Sequence, residues 1–137
     1  MFAHIMVPVD LVHKDKQQKA LDLAGEMANT HGATVHVVSV GGDLPGSLGH
    51  NPGEFGATLE AFAASLREAY GADVEAHPVQ SNDPAVDTTR KLMEAIESIG
   101  ADLVIMASHE PGMMEHIFSS HGGYIAQHAK CSVFVVR

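Results

Sequence analysis

The chain has 137 residues, with 17 acidic and 8 basic side chains and a formal net charge of -9. That balance argues against a nucleic-acid partner and against an anionic membrane surface, since both call for a positive face. One cysteine, Cys131, excludes an intrachain disulfide, and at the head of an apolar strand it reads as a small buried hydrophobe.

The length fits one domain over residues 1–137, and 45% hydrophobic content is ample for one core. The start MFAHIMVPVD has no basic region ahead of a long apolar run. No segment reaches the roughly 18 apolar residues of a membrane span. A cytoplasmic protein without membrane insertion is expected.

In chain order, apolar strand-like runs fall at residues 2–9, 34–40, 73–79, 102–107 and 131–136. Helical patterns separate them. The first, over 16–30, lines up Ala20, Leu23, Ala24, Met27 and Ala28, with Asp15 as its cap, Gln18 as the capping-box partner and Gly32 as its stop. The second opens on Asn51-Pro52 with Glu54 three residues after the cap. It repeats Phe55, Leu59, Phe62 and Leu66, and ends at Gly71. The third opens on Asp83-Pro84, turns Val86, Met93, Ile96 and Ile99 inward, and ends at Gly100. The fourth covers 120–129.

This β-α alternation predicts an α/β fold: an open, doubly wound five-stranded parallel sheet with helices on both faces. Strands one, two, four and five are rich in valine and isoleucine, as strands covered on both faces are. The more polar third strand belongs at an edge. Ligands of such sheets bind beyond the carboxyl ends of the strands, here the loops 8–14, 41–50, 80–83 and 108–118.

Asp10 closes the first strand. It can accept from an amino group or a ribose hydroxyl, help hold a metal, or simply cap its own turn. Ser119 and Ser120 sit before the last helix, where hydroxyls and free N–H groups can hold phosphate oxygens or serve as an ordinary cap. Gly122-Gly123 follows in the first turn. Ser108-His109 follows the fourth strand. His109 can donate to a phosphate, a base or a nearby carbonyl, whereas Glu110 would repel a polyphosphate. Pro111-Gly112 is a turn signal. His109, His116, His121 and His128 lie within twenty residues, but their spacing fits no zinc pattern, so no metal site is expected. There is no G-x-G-x-x-G after the first strand, no G-x-x-x-x-G-K-[ST], and no nucleophile elbow.

The segments HIMVPVD (4–10), ADLVIMASH (101–109) and HAKCSVFVVR (128–137) resemble, in order and spacing, those of the universal stress protein family, in its small single-domain bacterial form. The resemblance implies a Rossmann-like fold and a stress-response role, with an adenine nucleotide (ATP or AMP, with Mg²⁺ on the phosphates) at the carboxyl ends of the strands. The candidate contacts are Pro8, Val9, Asp10, Leu11, Val40, Val79, Ala107, Ser108, His109, Ser119, Ser120 and His121. It also implies a homodimer through the final strand.

Nucleotide-binding members carry G-x2-G-x9-G-[ST] between the fourth strand and the last helix. On this chain the three glycine positions fall on Met106, His109 and Ser119, and only Ser120 matches. His109 is the departure that would crowd a close backbone approach. Two readings therefore stand: a regulatory nucleotide-binding protein with at most slow ATP turnover, or a dimeric interaction module, with an unknown protein partner, that binds no nucleotide. In the second, His109 or Met113 fills the phosphate space.

Overall fold

The computed structural model describes residues 1–42, 51–108 and 118–137. In chain order these form β1 (His4–Pro8), a 3-10 segment (Leu11–Gln17), α1 (Gln18–His31), β2 (Thr34–Gly42), α2 (Pro52–Tyr70), β3 (Val74–Ser81), α3 (Pro84–Ile99), β4 (Leu103–Ala107), α4 (Phe118–His128) and β5 (Ser132–Val136). All strand pairs are parallel, in the order β3-β2-β1-β4-β5.

Alternation along the central strands divides the core in two. Ile5, Val7, Val35, Val37 and Ile105 face α1 and α2, against Ala20, Ala24, Ala28, Leu59 and Ala63. Met6, Val38, Val104 and Met106 face the other way, against Leu92, Ala95, Ile96 and Ile125 of α3 and α4. Each fully buried large side chain stabilises the fold by about 1.5–3 kcal/mol relative to exposure.

The second helix follows its sequence signals closely. Asn51 Oδ1 accepts from the Glu54 N–H at 2.9 Å, Pro52 opens the helix, and Gly71 ends it at φ 65°. Gly32 and Gly100 stop α1 and α3 at φ 67° and 72°, the left-handed region that favours glycine. Three expectations are corrected. The first helix does not start at residue 16 under an Asp15 cap: a 3-10 segment intervenes and α1 begins at Gln18 with no side-chain cap. Asp83 makes no side-chain cap either. Ser81 Oγ accepts from the Asp83 N–H and donates to Asp87 instead. Val86 is 74% exposed, because the inward stripe of α3 runs through Leu92, Ala95 and Ile96.

The sheet edges differ. β3 is an edge, as its polarity predicts, and it carries Pro78, which has no N–H to offer, and an exposed Glu75. β5 is the other edge. It is not covered on both faces: Phe134 and Val135 are 47% and 45% exposed.

Tyr70 locks α2 onto α1. A Cβ at Gly25 would lie 2.6 Å from the Tyr70 ring, so only glycine admits this approach. The hydroxyl donates to Asp22 Oδ1 at 2.5 Å and accepts from Gln18 Nε2 at 3.1 Å. Burial, then the Asp22 hydrogen bond, pushes the Tyr70 phenol up to about 12. Because the folded value lies above the unfolded one of about 10, this contribution to stability is complete below pH ~10 and is lost as pH rises through about 12. Ultraviolet titration of the Tyr124→Phe protein is expected to show the remaining phenol ionising near 12, and Asp22→Asn to bring it down. Ionisation near 10 in both proteins refutes the contact.

Candidate functional site

Strand order places the topological switch point between β1 and β4. From β1 the chain winds outward through β2 and β3; from β4 it winds the opposite way to β5. The crevice beyond the carboxyl ends of these two strands is where such sheets take ligands. Four structural features meet at this end of the sheet: the turn after β1, the end of β4, the start of α4 and the end of β5.

The turn after β1 is built around Gln17, which is 1% exposed. Its Oε1 accepts from the Asp10 N–H at 2.8 Å. Its Nε2 donates to the carbonyls of Asp10 and His13 at 3.0 and 2.9 Å. These bonds add to the turn's own main-chain bond, from the His13 N–H to the Asp10 carbonyl at 3.1 Å. Asp10 then caps the 3-10 segment: Oδ1 accepts from the Val12 N–H at 3.0 Å and Oδ2 from His13 Nδ1 at 2.9 Å. The Asp10 side chain keeps 25% exposure, and each carboxylate oxygen has a further lone pair. The carboxylate is thus both a cap and a fixed acceptor for one more donor.

Pro8, Val9, Leu11 and Ala107 are buried at the ends of β1 and β4 and in the turn after β1. Val9 extends β1 by donating to the Val38 carbonyl at 2.8 Å. Val40 and Val79 are register partners near the ends of β2 and β3, half-buried against the α3 side. They stand one and two strands away from β1.

Beyond β4, Ser108 donates its N–H to the Val136 carbonyl at 2.7 Å, extending the β4–β5 pairing. Ala107, Ser108, Gly122, Gly123, Phe134 and Val136 contribute to a hollow of about 560 Å³ between these strand ends and α4, a size that suits a small ligand. Asp10 does not line it. A Cβ at Gly122 or Gly123 would meet nothing within 4 Å among the described residues.

The described part of the last helix runs from Phe118, so Ser119, Ser120 and His121 lie in its first described turn rather than before it. Backbone N–H groups in that turn lack intrahelical partners and carry the positive end of the helix dipole. His109, Glu110, Pro111, Gly112, Met113 and His116 lie outside the described residues, as does 43–50 of the loop after β2.

Gln17 is the residue that sequence reasoning misses. Its only signal is a polar side chain amid a lysine-rich stretch, on the face that the following helix buries. Cys131 is half-buried, and burial pushes its thiol up, consistent with packing rather than reactivity. No helix among the described residues is long and apolar enough to cross a membrane.

Comparison with known proteins matches residues 1–137 to the universal stress protein family. Universal stress protein G of Shigella flexneri is 27% identical over 149 residues, covering 100% of both chains. Among solved structures, a universal stress protein in complex with cAMP superposes with a TM-score of 0.72 at 19% identity, over 99% of this chain and 97% of that one. The universal stress protein of Archaeoglobus fulgidus in complex with dAMP gives 0.67 at 21%, over 98% of each.

Proposed function

We propose that this chain, which belongs to the universal stress protein family, is a stress-response regulator that binds an adenine nucleotide at the β1–β4 switch point. The observation that carries the proposal is the placement of a fixed carboxylate, Asp10, beyond one strand of the switch point and a helix amino terminus beyond the other. An acceptor suits the amino group of adenine or a ribose hydroxyl, and a helix start suits phosphate. The relatives solved with cAMP and dAMP add support from the same fold. Pro8, Val9, Leu11, Val40, Val79, Ala107 and Ser108 would line the base and ribose side. His109, Ser119, Ser120 and His121 would lie on the phosphate side, with magnesium riding on the phosphates of ATP. The role is binding rather than turnover.

Calorimetry with AMP and with ATP plus magnesium tests it. One site per chain is expected, with micromolar affinity. Gly122→Val should weaken binding at least tenfold, because Gly122 lines the hollow and a Cβ there meets no described atom within 4 Å, and circular dichroism checks that the variant stays folded. No heat at millimolar nucleotide sinks the proposal.

A second element concerns assembly. β5 leaves an apolar edge open, and pairing Ser132–Val136 antiparallel with a second copy would close it. That surface serves equally a protein that binds no nucleotide, and the glycine-poor segment at Met106, His109 and Ser119 favours this alternative.

A further inference from the structure

Three histidines far apart in sequence meet on the face of the sheet covered by α3, towards the amino ends of the strands. The parallel register sets His36 of β2 opposite Glu75 of β3, and the two-residue period of a strand returns His77 to the same face as Glu75. His36 Nδ1 lies 2.8 Å from His77 Nε2 and 3.4 Å from Glu75 Oε2, and His77 Nε2 lies 3.6 Å from the same oxygen.

We propose that His36, Glu75 and His77 bind a divalent transition-metal ion, zinc in the first instance. Donors around a tetrahedral ion with bonds of about 2.0–2.1 Å stand roughly 3.3 Å apart, and the three measured edges bracket that value. An ion in contact with all three would sit roughly 0.7 Å off their plane, close to its position in a regular tetrahedron. Two imidazoles and one carboxylate are a zinc donor set. Magnesium and calcium prefer all-oxygen shells.

The surroundings are those of a supported ligand. His36 is buried, and its second nitrogen, Nε2, lies 3.0 Å from Nδ1 of His4 on the adjacent strand. A proton on His36 Nε2 donated to His4 leaves His36 Nδ1 bare and aimed at its partners. Metal-bound histidines ordinarily donate that second N–H to a carboxylate, carbonyl or water, and here a ring nitrogen takes the acceptor's place. Access is from solvent: the side chains of Glu75 and His77 are 60% and 32% exposed. His77 also lines a hollow of about 410 Å³ with Lys91, Glu94 and Ser98. Among the described residues lining it, Lys91 is the cation, and its ammonium sits 3.9 Å from Glu94. The fourth position is left for water.

This site is independent of the nucleotide proposal, since it lies towards the other end of the strands. The test uses the full chain, stripped with chelator and titrated with zinc chloride. One tight zinc per chain is expected, with micromolar or better affinity and a melting temperature raised by several degrees at saturation. Cobalt(II) in its place should give the intense visible bands of a tetrahedral ion. Glu75→Gln and His77→Gln, both at the surface, should keep the fold and weaken zinc at least tenfold. His4→Gln should also weaken it, about tenfold or more, through His36. With ten histidines in the chain, His31→Gln and His128→Gln serve as controls that should bind unchanged. Full affinity in the Glu75→Gln/His77→Gln double variant, loss of zinc in a control instead, or a purely octahedral cobalt spectrum overturns the proposal.

Discussion

Gln17→Leu is expected to lower stability by about 3 kcal/mol and to weaken adenine-nucleotide binding by an order of magnitude or more. The side chain is sealed from solvent and serves three main-chain groups of the turn after β1. Leucine keeps much of the volume but strands the Asp10 N–H, removes the bond to the His13 carbonyl, and leaves the Asp10 carbonyl with only the His13 N–H. Each buried group left unpaired costs about 1–3 kcal/mol, less where water can reach it. Against a total of about 5–15 kcal/mol for a domain, that loss is large. Chemical denaturation gives the stability change and calorimetry with AMP the affinity change. The two readouts separate the roles: a loss of stability with intact binding leaves Gln17 a structural residue and removes Asp10 from the proposed site.

Phe134→Lys is expected to convert a dimer to a monomer, raising the dissociation constant at least a hundredfold. Phe134 stands on an edge strand, 47% exposed beside an equally open Val135. In an antiparallel pair across a two-fold axis, each chain would meet the other's Phe134 and Val135. Two lysines brought into that apolar contact would lose hydration without a partner. Sedimentation equilibrium reads the change, and circular dichroism checks that the monomer stays folded. A wild-type protein that is monomeric at tens of micromolar removes the dimer from the proposal.

Much of the fold is legible in the residues themselves. The Asn51-Pro52 start, the glycine stops at 32, 71 and 100 and the valine-rich strands each encode a local conformation that the tertiary structure keeps. What escapes is set by distant partners. The start of α1 moves because Gln17 folds back onto Asp10 and claims the turn that Asp15 was expected to cap. Val86 pairs with Met93 in the sequence period, but the stripe that α3 buries runs through Leu92, Ala95 and Ile96 and leaves Val86 74% exposed.

The candidate site is legible only in outline. Asp10 and the start of α4 follow from strand ends and helix starts. The meeting of residues 4, 36 and 77 follows only from strand order and register. Attention to clustered histidines in the last third of the chain points away from it. The local trace is the Glu75-x-His77 alternation, which puts two donors on one side of a strand.

The unequal borders of the sheet set a limit on growth. One border has a proline and a carboxylate where a neighbour's backbone would dock; the opposite border is bare and greasy. Of the two described sheet borders, only one would then be open to a mate. If the proposed pairing through that side forms, it ends at a closed pair rather than the filament that two sticky borders would build.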